Sequence, residues 1–111
     1  MNSGKFYWIA QRITALILMP LTPWFVYYLV KISNYNYFEV LNFFESLINS
    51  SIFLITLILM IYHGLLGMQT IIDDYINSNN LRNTLIFITK LLSYLMILIS
   101  TVSIVKIQIF I

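Results

Sequence analysis

The most chemically informative side chain in the sequence is His63, the only histidine among 111 residues. It lies inside a long apolar stretch, 11 residues before Asp74, where that stretch ends. If this stretch is a helix that crosses a bilayer, His63 sits roughly 16 Å from its end, near the middle of a hydrocarbon core of roughly 30 Å. A histidine at that depth is costly without a partner. It is either a neutral imidazole hydrogen-bonded to another helix or a ligand of a buried cofactor, and the residue type leaves both open.

Two glycines lie beside His63 on the predicted helix. At about 100° per residue, Gly67 falls one turn away on the same face, and Gly64 follows the histidine directly. Their missing side chains leave a notch that a flat macrocycle such as haem, or a neighbouring helix, could enter. Haem in a helix bundle is commonly held by two axial ligands. Because this chain has one histidine, a haem bound by His63 would lie at an interface with another subunit.

Two further groups of polar residues flank the apolar stretches. Asp74 and Tyr75 are either a solvated helix end or a site where a tyrosine hydroxyl donates to a quinone carbonyl beside a supporting carboxylate. Arg12, one turn after Trp8, is either a topology anchor or a cation placed for a haem propionate or a quinone head group. The residue types do not decide between these alternatives.

The elements that carry these residues follow from composition. The chain is 60% hydrophobic and 9% charged, with a mean hydropathy of +0.89, whereas a soluble domain is about 45–50% apolar. Apolar stretches at 13–32, 46–72 and 85–105 are each long enough to cross a bilayer. The sequence therefore predicts an all-α membrane protein in which a single domain, 1–111, contains three transmembrane helices.

Basic residues predict the orientation of these spans. In a three-span protein, one side would carry four of the six basic residues: Lys5, Arg12, Arg82 and Lys90. Lys31 and Lys106 would lie on the other side. Since basic residues in short loops stay on the cytoplasmic side, we expect the N-terminus on the cytoplasmic or matrix side.

Composition also excludes several classes of function. The absence of cysteine rules out disulfides and cysteine-ligated zinc or iron–sulfur sites. The net charge of +2 is spread along the chain and forms no basic patch, so no nucleic-acid partner is expected. Membrane lipid and other membrane subunits are the expected surroundings.

Two motifs, in order along the chain, resemble one family. Before the first span the sequence reads Trp8-x-x-Gln11-Arg12-Ile13-Thr14-Ala15, followed by Pro20, Leu21 and Trp24. In the second span it reads His63-Gly64-Leu65-Leu66-Gly67-Met68 and continues to Asp74-Tyr75-Ile76. These segments are similar to the hydrophobic membrane anchor subunit (the D-type subunit) of succinate dehydrogenase, with its H-x-x-x-G-x-x-x-x-x-x-D-Y pattern. The resemblance covers essentially the whole chain.

The resemblance implies roles for four residues. His63 matches the family's axial ligand to the iron of haem b, a cofactor that would be shared with a partner subunit. Tyr75 matches the tyrosine that hydrogen-bonds ubiquinone, the substrate, and Asp74 is its neighbour at that site. Arg12 matches the arginine of the haem propionate and quinone region.

The resemblance also implies an assembly, respiratory complex II, in a bacterial or mitochondrial inner membrane. The chain would be a non-catalytic subunit that helps pass electrons from succinate to quinone. Its partners would be a flavoprotein subunit, an iron–sulfur subunit and a second, C-type cytochrome b anchor subunit. The residue types alone also fit a small proton-conducting or transporter subunit, with His63 and Asp74 relaying protons, or a structural subunit of another respiratory complex.

Overall fold

The computed structural model describes residues 3–110, with side chains from Gly4 to Phe110. It contains helix α1 at Ser3–Ser33, α2 at Tyr37–Glu45, α3 at Leu47–Tyr75 and α4 at Asn79–Phe110, and this described range has no strand. The predicted all-α class is confirmed.

Three of these helices have the length and composition of membrane spans, and the predicted three transmembrane helices are therefore confirmed. The spans are Gly4–Ser33 within α1, the whole of α3 and the whole of α4, with 30, 29 and 32 residues. At 1.5 Å per residue each is roughly 45 Å long, so its ends extend past the hydrocarbon core into the headgroup layers. Each helix is longer than its apolar stretch, because a helix also satisfies the backbone groups of its polar end residues.

The short helix α2 lies between the first two spans and was not predicted from the sequence. Asn36 starts it with a capping box: its Oδ1 accepts from the Glu39 backbone N at 2.9 Å, and the Glu39 Oε1 accepts from the Asn36 N at 3.2 Å. Ser46 then ends α2 and caps α3, its Oγ accepting from the Asn49 N at 3.3 Å. The asparagine–glutamate spacing is a helix-start signal that was present in the sequence.

Helix α3 is the centre of the molecule, since both α1 and α4 pack along it and α2 packs against α3 and α4 at one end. At that end the core consists of aromatic rings and one isoleucine: Phe25, Phe43, Phe44, Phe53 and Ile104. The Phe53 ring lies 4.7 Å from that of Phe25 and 5.0 Å from that of Phe44, centre to centre. This aromatic core holds the end of the bundle that is opposite Asp74.

The rest of the surface is strongly apolar. Helix α4 buries only Ser93 and Ile104, and large side chains such as Phe87 and Ile99 are 65% and 64% exposed. An exterior of this kind fits hydrocarbon or the apolar surface of partner subunits rather than water.

Candidate functional site

His63 is held by a residue of α1. Its Nδ1 lies 2.8 Å from the Thr14 Oγ1, a contact between residues 49 positions apart. Thr14 is buried, with 5% of its surface exposed, and its hydroxyl also lies 2.8 Å from the Ala10 carbonyl and 3.0 Å from that of Gln11. His63, near the middle of α3, therefore has a hydrogen-bonding partner on a neighbouring helix, as expected for a histidine within an apolar span.

The second ring nitrogen of His63 has a different environment. Within residues 4–110, Nε2 makes no hydrogen bond. In the same range, the Arg82 Nε is the only buried side-chain nitrogen or oxygen atom without a hydrogen-bond partner. The His63 Nε2 also lacks a partner but is not among the buried atoms, so part of its surface is accessible from outside the chain. The residue is half-buried, with Nδ1 in contact with α1 and Nε2 without a hydrogen-bond partner among residues 4–110.

The two glycines beside His63 have different surroundings. A Cβ at Gly67 would lie 3.7 Å from the Gln11 Nε2, so α1 takes up the space that the sequence analysis left open to a helix or a macrocycle. A Cβ at Gly64 would meet nothing within 4 Å. Gly64 instead lines an open apolar groove of about 380 Å³ between α3 and α4, whose walls include Met60, Met68 and Met96.

The C-terminal end of α3 forms a polar cleft with the start of α1. Its volume is about 260 Å³ and its walls come from both helices: Gly4, Tyr7, Trp8, Gln11, Thr70, Asp73 and Asp74. Both carboxylates are exposed. Gln11 lines this cleft and lies near Gly67, and Thr14, one turn further along α1, contacts His63. The α1–α3 interface therefore carries polar groups from the cleft down to the histidine.

Two of the predicted site residues stand apart from this interface. Tyr75 is the last residue of α3, is 78% exposed and does not line the cleft. The Arg12 guanidinium carbon lies 4.4 Å from the centre of the Trp8 ring, a cation–π contact at the edge of the cleft. No described contact joins Arg12 to His63, Asp74 or Tyr75. Asp74 is thus brought beside Trp8 and Gln11, whereas Tyr75 and Arg12 face outward.

Two residues with site contacts, Gln11 and Thr14, received no role in the sequence analysis. Their spacing of three residues puts both on one face of α1, and Leu18 and Phe25, both buried, continue that face at helical spacing. Polar residues on the buried face of a membrane helix usually have a partner on a neighbouring helix. The sequence therefore indicated that Gln11 and Thr14 have partners on another helix, but it did not identify those partners.

The described residues contain no group of three or more histidine, aspartate or glutamate side chains arranged to hold a free metal ion. A haem requires less from the chain, since its macrocycle supplies four ligands and the protein supplies axial ones. A single imidazole with a hydrogen-bonded Nδ1 and an available Nε2 fits that requirement.

Comparison with known proteins supports one family. The family model of the succinate dehydrogenase/fumarate reductase transmembrane subunit matches residues 1–99. The succinate dehydrogenase hydrophobic membrane anchor subunit of Rickettsia prowazekii (strain Madrid E) is 40% identical over 96 residues, which is 86% of this chain and 77% of the relative. That of Rickettsia bellii (strain RML369-C) is 42% identical with the same coverage.

A more distant relative comes from outside the rickettsiae. The succinate dehydrogenase membrane anchor subunit of Reclinomonas americana is 30% identical over 95 residues, 83% of this chain and 79% of the relative. No solved structure matches the chain significantly. The resemblance seen in the two sequence motifs is confirmed: this multi-pass membrane chain belongs to the family of succinate dehydrogenase/fumarate reductase transmembrane subunits, among the membrane anchor subunits of succinate dehydrogenase.

Proposed function

We propose that this anchor subunit contributes one axial ligand to a haem b shared with a second anchor subunit, and one wall of a ubiquinone site. The observation that carries the proposal is the state of His63, whose Nδ1 contacts Thr14 while its Nε2 has no partner within residues 4–110. Metal-ligating histidines usually bond their other ring nitrogen to a protein acceptor, and the hydroxyl oxygen of Thr14, 2.8 Å from the His63 Nδ1, is a group that can accept.

The single histidine explains why a partner is needed. A low-spin haem b requires two axial ligands, and His63 is the only imidazole in the chain. The second ligand would come from a C-type cytochrome b subunit packed against the open side of His63. When bound, the haem would supply a one-electron redox centre within the membrane. The chain's own share is to hold the imidazole at mid-membrane depth and to exclude water with the surrounding apolar residues.

The quinone part of the proposal rests on the end of α3. The cleft beside Asp74 offers carboxylates, an amide and an indole at the membrane boundary, where a quinone head group can meet both lipid and polar side chains. Tyr75 adds a neutral hydroxyl donor. Because Tyr75 is 78% exposed, partner subunits would complete the pocket around it. Arg12, at the edge of the cleft, provides a cation for a haem propionate or the quinone region.

The family assignment implies partner catalytic subunits, and we propose where they dock. The flavoprotein and iron–sulfur subunits would lie at the end that carries the polar cleft, so that electrons from succinate arrive close to the quinone. The bacterial or mitochondrial inner membrane is the compartment that fits such a respiratory complex.

Replacing His63 with Leu tests the proposal. Removing the imidazole should abolish or shift the low-spin b haem bands in the reduced-minus-oxidised spectrum of the membrane complex, while all three spans remain inserted. Met60→Leu, a volume-conserving change one turn earlier on α3, should leave the spectrum unchanged. An unaltered haem spectrum in His63→Leu would overturn the ligand assignment.

A further inference from the structure

We infer that Thr14 is a positioning residue that sets the tautomer and the orientation of the His63 ring, an inference that rests on the proposed haem ligation. The Thr14 Oγ1 and the His63 Nδ1 are 2.8 Å apart across the α1–α3 interface. In this arrangement the imidazole proton lies on Nδ1 and is donated to the hydroxyl oxygen. The lone pair on Nε2 is then free to bind iron.

The tautomer follows from counting protons at Thr14. The hydroxyl has one proton and three neighbours: the Ala10 carbonyl at 2.8 Å, the Gln11 carbonyl at 3.0 Å and the His63 Nδ1 at 2.8 Å. Carbonyl oxygens can only accept, so the hydroxyl proton must be directed at them if those close contacts are to be favourable. The remaining contact is satisfied only if Nδ1 carries a proton and donates it to Oγ1. The opposite tautomer would leave the oxygen facing two carbonyls without a proton between them.

The position of this oxygen is fixed by three constraints. Thr14 is β-branched, which restricts its χ1 angle on a helix. Its bond to the carbonyl one turn earlier anchors the hydroxyl to the backbone of α1. One turn toward the cleft, α1 and α3 are close to each other, since a Cβ added at Gly67 would lie 3.7 Å from the Gln11 Nε2. His63 therefore meets an acceptor that is already in place, with little freedom for its ring to rotate.

This hydrogen bond should tune the bound haem. A protein acceptor on the distal ring nitrogen makes the ligating imidazole more basic and fixes its plane. A more basic ligand stabilises ferric over ferrous iron and thereby lowers the midpoint potential. Losing the acceptor should have the opposite effect and should also weaken haem binding, since removal of such partners typically reduces metal affinity by about 10–100-fold.

The experiment uses three variants in the assembled membrane complex. Thr14→Val keeps the side-chain shape and removes the hydroxyl, whereas Thr14→Ser keeps the hydroxyl. Thr56→Val is the matched control, because Thr56 is fully buried and bonds its own Ile52 carbonyl at 2.7 Å but has no hydrogen bond to His63. For each variant, haem per flavin is measured, and the haem midpoint potential is determined by redox titration.

Thr14→Val should raise the haem midpoint potential or lose haem. A tenfold decrease in the preference for ferric over ferrous iron corresponds to a rise of about 59 mV for one electron. Thr14→Ser and Thr56→Val should stay at the wild-type values. Wild-type haem content and potential in Thr14→Val would overturn the inference, and so would a change in Thr14→Ser as large as that in Thr14→Val. These outcomes are separable from the ligand assignment, which stands or falls with His63→Leu whatever the Thr14 variants do.

Discussion

At the scale of single residues, Tyr75 is a member of the proposed site with 78% of its surface exposed. It ends α3 next to Asp74, which lines the polar cleft, but its own ring faces away from the chain. A tyrosine hydroxyl in this place is a neutral hydrogen-bond donor at the level where a quinone head group would enter. The ring could also serve only as an interfacial aromatic residue, and one substitution separates the two roles.

Tyr75→Phe keeps the ring and removes the hydroxyl. We expect quinone reduction to fall roughly tenfold or more if the hydrogen bond strengthens in the transition state, because 1.36 kcal/mol corresponds to about one decade in rate. Haem content and succinate oxidation with an artificial acceptor should remain close to normal. The measurement compares quinone-dependent and quinone-independent rates in the same membranes.

Tyr94→Phe is the control for this experiment, since Tyr94 is also exposed but lies on α4 outside the cleft. It should leave both rates unchanged. Equal loss of both rates in Tyr75→Phe would indicate a role in docking the soluble subunits, and full retention would leave Tyr75 as an interfacial residue.

At the scale of elements, the junction between α2 and α3 depends on one side chain from α4. The Gln108 Nε2, with two protons to donate, lies within hydrogen-bond distance of the Phe44 carbonyl, of the Glu45 carbonyl at 3.1 Å and of the Ser50 Oγ at 3.1 Å. Carbonyls in the last turn of a helix have no partner within that helix. Gln108 supplies a partner to these carbonyls, beside the Ser50 hydroxyl that also donates to the Phe44 carbonyl, and joins three helices at the end that contains the aromatic core.

Gln108→Leu should therefore destabilise the bundle without altering the haem. The Phe44 carbonyl keeps the Ser50 Oγ as a donor, so the expected cost is that of lost hydrogen bonds, about 0.5–1.5 kcal/mol each, and the thermal transition of the detergent-solubilised complex should move to a lower temperature. Ser100→Ala is the control on the same helix, because the Ser100 hydroxyl bonds only its own Met96 carbonyl. If Gln108→Leu and Ser100→Ala give the same transition temperature as the wild type, the junction does not depend on this contact.

At the scale of the whole molecule, the basic residues are distributed unequally between the two ends of the helix bundle. The start of α1 and the end of α3 meet at the polar cleft, and α4 begins just after α3. Four basic residues lie toward that end: Lys5, Arg12, Arg82 and Lys90. Lys31 and Lys106 lie toward the other. From the positive-inside rule we expect the cleft on the cytoplasmic or matrix side, and this orientation stays a prediction.

Cysteine labelling can test this orientation, and the chain offers a clean background because it has no cysteine of its own. With an impermeant thiol reagent on intact cells or mitoplasts, Asn34→Cys and Phe110→Cys should be labelled and Ser78→Cys should be spared. All three positions are exposed. The reverse pattern would invert the topology and remove the proposed quinone site from the side that receives electrons.

The sequence by itself determined the three spans, the position of His63 near the middle of the second span and the family. Membrane spans can be predicted from the sequence because hydropathy is a local property and because each helix in hydrocarbon must satisfy its own backbone groups. The helix α2 was also encoded locally, by Asn36 and Glu39, and could have been predicted.

Only the tertiary structure decided which residues meet. That Thr14 bonds His63, that Gln11 fills the space beside Gly67 and that Tyr75 faces outward all depend on how α1 is rotated and shifted against α3. The periodicity of one helix shows which face is buried, but it does not show the register that brings together two residues 49 positions apart on different helices. Register is set by the sum of many side-chain contacts along the interface, and no single segment of sequence contains that sum.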